Sequence, residues 1–105
     1  MTLPTHPKKR LDIIIEAPAL NLLLEQLDAA GVTGYTVFPA LSGRGHDGHW
    51  RLDDSFNDAS HMVQVSSIMD GALIAAVLEG AYSVVRRHIG IVTVSDVQVV
   101  RSDHF

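Results

Sequence analysis

LDIIIEAPALNLLLEQLDAAG, residues 11–31, carries two different periods back to back. Leu11-Asp12-Ile13-Ile14-Ile15 is rich in β-branched side chains, which marks a strand, mostly buried. Pro18 then suits the first turn of a helix, where a backbone N–H has no intrahelical partner to lose. Leu20, Leu23, Leu24 and Leu27 recur at helical spacing as one apolar stripe, with Glu25, Gln26 and Asp28 facing away. Gly31 suits the left-handed residue that often ends a helix. Side chains alternate along a strand, so Ile13, Ile14 and Ile15 cannot all face that helix. One apolar face is left over, and a chain of 105 residues has little else to cover it. A second subunit is the expected cover.

Working outward, Thr36, Val37 and Phe38 continue into Leu41 as a second strand. Residues 42–60 then show no sustained period. They hold Gly43, Gly45 and Gly48, with histidines, aspartates and Trp50 between and after them. An irregular stretch of that length in a small domain is usually functional or disordered. Met62-Val63-Gln64-Val65-Ser66 alternates, as a strand with one wet face does, and Met62 and Met69 read as core filler. Asp70 is a candidate N-cap. Leu73, Val77, Leu78, Ala81 and Val85 make a second amphipathic helix, with Arg86, Arg87 and His88 in its last turn, where cations suit the dipole. The stretch from Ile89 to Val100 reads as a last strand. Residues 1–8, with Pro4 and Pro7, read as a loose lead-in, and Lys8-Lys9-Arg10 as a solvated start to the first strand. The order β-α-β-β-α-β is an α+β, ferredoxin-like arrangement, expected as a single domain over residues 1–105 with a long loop after the second strand.

Composition bounds the function. The chain is 47% hydrophobic and carries a net charge of −4, which leaves no electrostatic footprint for nucleic acid. It has no cysteine, so disulfides and thiolate chemistry are excluded. No signal-peptide core and no apolar run of membrane-spanning length is present, so a cytoplasmic protein without membrane insertion is expected.

The glycine-rich stretch suits an anion. Glycines at 43 and 45 let successive backbone N–H groups turn toward a ligand, and Arg44 adds a planar fork of donors for phosphate or a carbonate-type oxyanion. Arg87 and Arg101 would close the other side across a subunit boundary. His46, Asp47, His49 and His61 supply metal-donor types, but their spacing fits no standard zinc pattern. They support a rival reading, a ferredoxin-like trimeric metal-binding protein using loop histidines. Catalysis is not expected: no Gly-x-Ser-x-Gly elbow occurs, and Ser42 or Ser60 beside a histidine proves no geometry. Glu16 and the loop aspartates are acid–base candidates only in kind. Trp50, in a polar stretch, is either tucked against the domain or offered to a partner.

Gly31-Val32-Thr33-Gly34-Tyr35-Thr36-Val37, followed by the glycine-rich loop, resembles the G-x-T-G-x-T-V turn of the PII signalling family. Weaker echoes lie at Lys8-Lys9-Arg10 and Val94-Ser95-Asp96-Val97. The resemblance implies a homotrimer of ferredoxin-like subunits that is not an enzyme. It binds adenine nucleotide between subunits and contacts a protein target through a T-loop, here residues 42–60. Thr36 matches the adenine-side threonine. Ser42, Gly43, Arg44 and Gly45 match the loop base that meets phosphate, and Arg87, His88, Gly90 and Arg101 complete the implied nucleotide set. The T-G-x-x-G-D-G segment of nitrogen-sensing members is replaced here by Val84-Val85-Arg86-Arg87-His88-Ile89-Gly90. The modifiable loop tyrosine is missing, with Trp50 and Arg51 in that loop instead. These departures argue against 2-oxoglutarate sensing and uridylylation. Ser42-Gly43-Arg44-Gly45-His46-Asp47-Gly48 is most similar to the carboxysome-associated PII group. That group implies ADP or AMP as ligand (ATP being the variant case), with bicarbonate on Arg44, Gly45 and His46 and no metal. The implied target is a bicarbonate transporter or a carboxysome-related protein.

Overall fold

The computed structural model describes residues 2–45, 48–51 (backbone) and 61–105. Strand β1 (His6–Glu16) leads through a 3-10 turn at Ala17–Ala19 into helix α1 (Leu20–Ala29). Strand β2 (Thr36–Pro39) follows, then β3 (Ser42–Gly45) and β4 (Gly48–Arg51). Strand β5 (Met62–Met69), a 3-10 turn at Gly71–Leu73, helix α2 (Ile74–Val85) and strand β6 (Gly90–Val99) complete the chain. Four strands form one sheet in the order β2-β5-β1-β6, and every pairing is antiparallel. With two helices this is the expected ferredoxin-like α+β fold.

Alternation decides which face is dry. Leu11, Ile13 and Ile15 are buried on the helix side of β1, while Ile14 between them is 36% exposed on the other face. Val65 and Met69 of β5 join them from the sheet. Ala19 and α1 residues Leu23 and Leu27 close the core from above, with Val77, Ala81, Val84 and Val85 of α2. Each fully buried Leu or Ile contributes about 1.5–3 kcal/mol, so this helix-facing layer holds the sheet together. Gly31 has φ +89°, the left-handed conformation that its lack of a Cβ allows, and it ends α1 as expected.

Four expectations are corrected. The first strand begins at His6, inside the supposed lead-in. It tolerates Pro7 because that residue pairs only with Gln98 of β6, whereas pairing with β5 starts at Lys9. Lys8, Lys9 and Arg10 are not a solvated start, since each meets a carboxylate, Asp70, Asp96 and Asp12 respectively. Asp70 occupies the cap position, but its side chain makes no cap bond and instead accepts from Lys8 Nζ. Arg86, Arg87 and His88 follow α2 rather than ending it: Arg86 is the C-cap residue, and the N–H groups of Arg87 and His88 bond back to Val84 and Val85 carbonyls.

Part of the supposedly irregular stretch also pairs. β3 and β4 form an antiparallel ribbon with Ser42 opposite Arg51, Gly43 opposite Trp50 and Arg44 opposite His49. A two-stranded ribbon has no sheet face to bury, so no apolar period announces it. His46, Asp47 and residues 52–60 lie outside the described residues, as do the side chains at 48–51.

Candidate functional site

A groove of about 390 Å³ runs between the start of β2 and the middle of β5. Residues 33–36 form one wall and 66–68 the facing wall, with His104 and Phe105 on a third side. The turn after α1 is tied down from inside. Ser67, 3% exposed, donates its hydroxyl to the Gly34 carbonyl at 2.6 Å. That bond satisfies a buried hydroxyl and fixes how the chain enters β2. Thr36 opens β2 opposite Ser66, and both residues line the groove. Beyond Ser66, the row reaches Asp12 of β1, whose carboxylate accepts from Gln64 Nε2 at 3.1 Å and pairs with Arg10 Nε at 2.8 Å.

The sequence candidates fall into two groups along the sheet. Pro39, Val63, Ile15 and Gly90 lie in one cross-strand row. Three interstrand steps make that row roughly 14 Å wide. Ser42, Gly43, Arg44 and Gly45 begin three residues beyond Pro39 on one side, and Arg87, His88 and Gly90 lie on the other. Arg44 and Arg87 are exposed. These residues share one end of the sheet. Arg101 does not: it follows Val99, which pairs with His6 at the far end of β1. Nine strand residues separate those two ends, roughly 30 Å. Arg101 and the Arg87 group therefore cannot meet one ligand within one protomer.

Two of the candidates have internal duties. His88 Nδ1 lies 2.9 Å from Glu16 Oε1, which also accepts the Ile89 N–H at 3.2 Å. Gly90 is required by packing, because a Cβ there would come within 2.9 Å of the Ile14 carbonyl oxygen. At the other end, Arg101 Nη2 donates to Asp103 Oδ2 at 3.2 Å and to His104 Nε2 at 3.0 Å. The Arg101 guanidinium, followed by backbone hydrogen bonding, holds the Asp103 carboxyl below its ordinary value.

Sequence reasoning missed Ser66, Ser67, Tyr35, His104 and Phe105 as groove residues. Two adjacent serines inside a strand of Met, Val and Ile were the available signal. Nothing marked the last two residues, whose place depends on a long-range fold. Among the described residues, no three His, Asp or Glu side chains are grouped so as to hold a metal ion. Among the same residues, no helix is long and apolar enough to cross a membrane.

Comparison with known proteins agrees with this architecture. The family model "Nitrogen regulatory protein P-II" matches residues 8–104. Nothing among the curated proteins matches. Among solved structures, CPII from Thiomonas intermedia K12, a nitrogen regulatory PII-like protein bound to ADP, AMP and bicarbonate, is 33% identical. That match has a TM-score of 0.84 and covers 95% of this chain and 94% of the other. The apo form of the same protein matches with 31% identity and a TM-score of 0.72, covering 93% and 97% of the two chains. A PII-like signaling protein from Thermus thermophilus, 23% identical, shares the fold with a TM-score of 0.80 over 98% and 99% of the chains. With a family match across nearly its whole length and a third of its residues shared with CPII, the chain belongs to the nitrogen regulatory P-II family, as a divergent PII-like protein similar to CPII.

Proposed function

We propose that this chain is a non-catalytic signalling protein that binds ADP or AMP together with bicarbonate. The ligand sits in clefts between the subunits of a homotrimer. The observation that carries the reading is the groove beside Thr36 and Ser66. It lies at the start of the edge strand β2, whose far end leads, after two residues, into the glycine-arginine ribbon. The related CPII structures contain ADP, AMP and bicarbonate, which gives this groove and ribbon a matching ligand set. Thr36 contacts the adenine side. Ser42, Gly43, Arg44 and Gly45 offer backbone N–H groups and a guanidinium to the phosphates and to bicarbonate, with His46 beside them. Arg87 lies across the end of the sheet from the ribbon. Arg101 is too far from Arg87 in its own chain, so it serves a neighbouring subunit's cleft or none.

Residues 42–60 act as the T-loop in this reading. Ligand at the ribbon changes what the loop presents to a protein target, and the cell's inorganic carbon and energy status is read in the cytoplasm by that route. A calorimetric titration of ADP, with and without bicarbonate, tests it. Binding that tightens with bicarbonate is the expected result, because linked sites raise each other's affinity by the same factor. ADP binding indifferent to bicarbonate removes the carbon-sensing part, and no ADP binding removes the whole proposal.

A further inference from the structure

The far wall of the groove is the last segment of the chain, and it is held by three separate anchors. Thr33 Oγ1 donates to the His104 carbonyl at 3.4 Å. Arg101 ties Asp103 and the His104 ring into one turn. Lys8 Nζ lies over the Phe105 ring, 5.2 Å from its centroid. That lysine is itself fixed, because its side chain is only 10% exposed and its ammonium is paired with Asp70. A cation placed on one ring face within about 6 Å is attracted by the ring quadrupole. The ring is thus oriented by a buried charge, while Phe105 still lines the groove and remains 36% exposed. The cavity stays open with Phe105 in place, so the ring walls the groove without filling it. Tyr35, 37% exposed, lines the same groove.

We infer that Phe105 is a stacking platform for the base of the bound nucleotide, with Lys8 as the residue that positions it. The inference rests on the reading that this groove takes an adenine nucleotide. Base–aromatic stacking needs only a π-face, so this wall supplies affinity, whereas hydrogen bonding at Thr36 and Ser66 supplies the choice of base.

The test is ADP titration calorimetry on the full chain, with the ligand-free melting temperature of each variant as the folding control. Phe105→Leu keeps the apolar bulk and removes the π-face, and it is expected to weaken ADP about tenfold. Phe105→Trp is expected to keep or tighten binding. Lys8→Met is expected to weaken ADP binding alone but to add nothing in a Phe105→Leu background, as coupled neighbours do. A merely structural lysine would add its loss in both backgrounds. Unchanged ADP affinity in Phe105→Leu overturns the inference. If Thr36→Ala weakens ADP while Phe105→Leu does not, the groove reading stands and the platform falls. No ADP binding by the unaltered chain overturns both.

Discussion

Gly90 sits where two explanations of a glycine compete. The resemblance assigns it to the ligand, whereas the geometry puts any added Cβ within 2.9 Å of the Ile14 carbonyl, with Ile15 and Val85 side chains at 3.3 Å. A backbone oxygen cannot swing aside as a side-chain tip can. Gly90→Ala should therefore cost about 1–3 kcal/mol, the usual range for forcing extra volume into a packed site. The measurement is the urea midpoint of the ligand-free protein, and an unchanged midpoint would return Gly90 to the ligand. Asp103 makes a second residue-scale case. Its carboxyl is held below its ordinary value of 3.8 in the folded state by Arg101. A depressed carboxylate contributes stability above its unfolded value and loses it as pH falls through the folded one. As pH drops below 3.8, then, residues 101–105 should progressively come loose, seen as faster amide exchange there before the sheet responds. Simultaneous loss across the whole sheet would contradict a local role.

At the scale of elements, the β3–β4 ribbon carries the test of anion binding. Arg44 is exposed in an element that contributes nothing to the core, so Arg44→Ala should leave the ligand-free melting temperature unchanged. It should weaken ADP by about 1.5–3 kcal/mol, the value of a hydrogen bond to a charged group. Equal affinity in the variant would remove the ribbon from the site. The ribbon also shows where sequence reading stops. The leucine stripe of α1, the alternation of β5 and the left-handed Gly31 are local signals, and each led to the right element. Pairing of Arg44 with His49 depends on backbone hydrogen bonds between glycines, which leave no apolar trace. Asp70 shows the same limit from another side. Its position fits an N-cap, but Lys8, 62 residues away, takes the carboxylate. Thr36 was legible because it lies in a motif. Ser67, Phe105 and Lys8 become groove parts only when β1, β5 and the end of the chain are brought together.

For the whole molecule, the sheet face away from the helices is the surface that needs a cover. Phe38, Gln64, Ile14 and Ile91 stand in one row across that face. Phe38 is 48%, Ile14 36% and Ile91 56% exposed in the single chain. Three large apolar side chains in one row on an open sheet are a surface that association would bury. The neighbouring row, through Val63 and Pro39, leads toward the ribbon that the proposed ligand meets. Association and ligand binding should therefore fail together. Ile14→Lys combined with Ile91→Lys places two cations side by side on this face, since the two residues are register partners. The helix-side core, built on Ile13 and Ile15, is untouched by that change. The expected outcome is a folded monomer by sedimentation equilibrium, with normal helix content and ADP binding lost along with the trimer. A trimer that survives both lysines would place the subunit contact elsewhere. A monomer that still binds ADP with full affinity would mean that one chain holds the entire site, which the roughly 30 Å between Arg101 and the Arg87 group argues against.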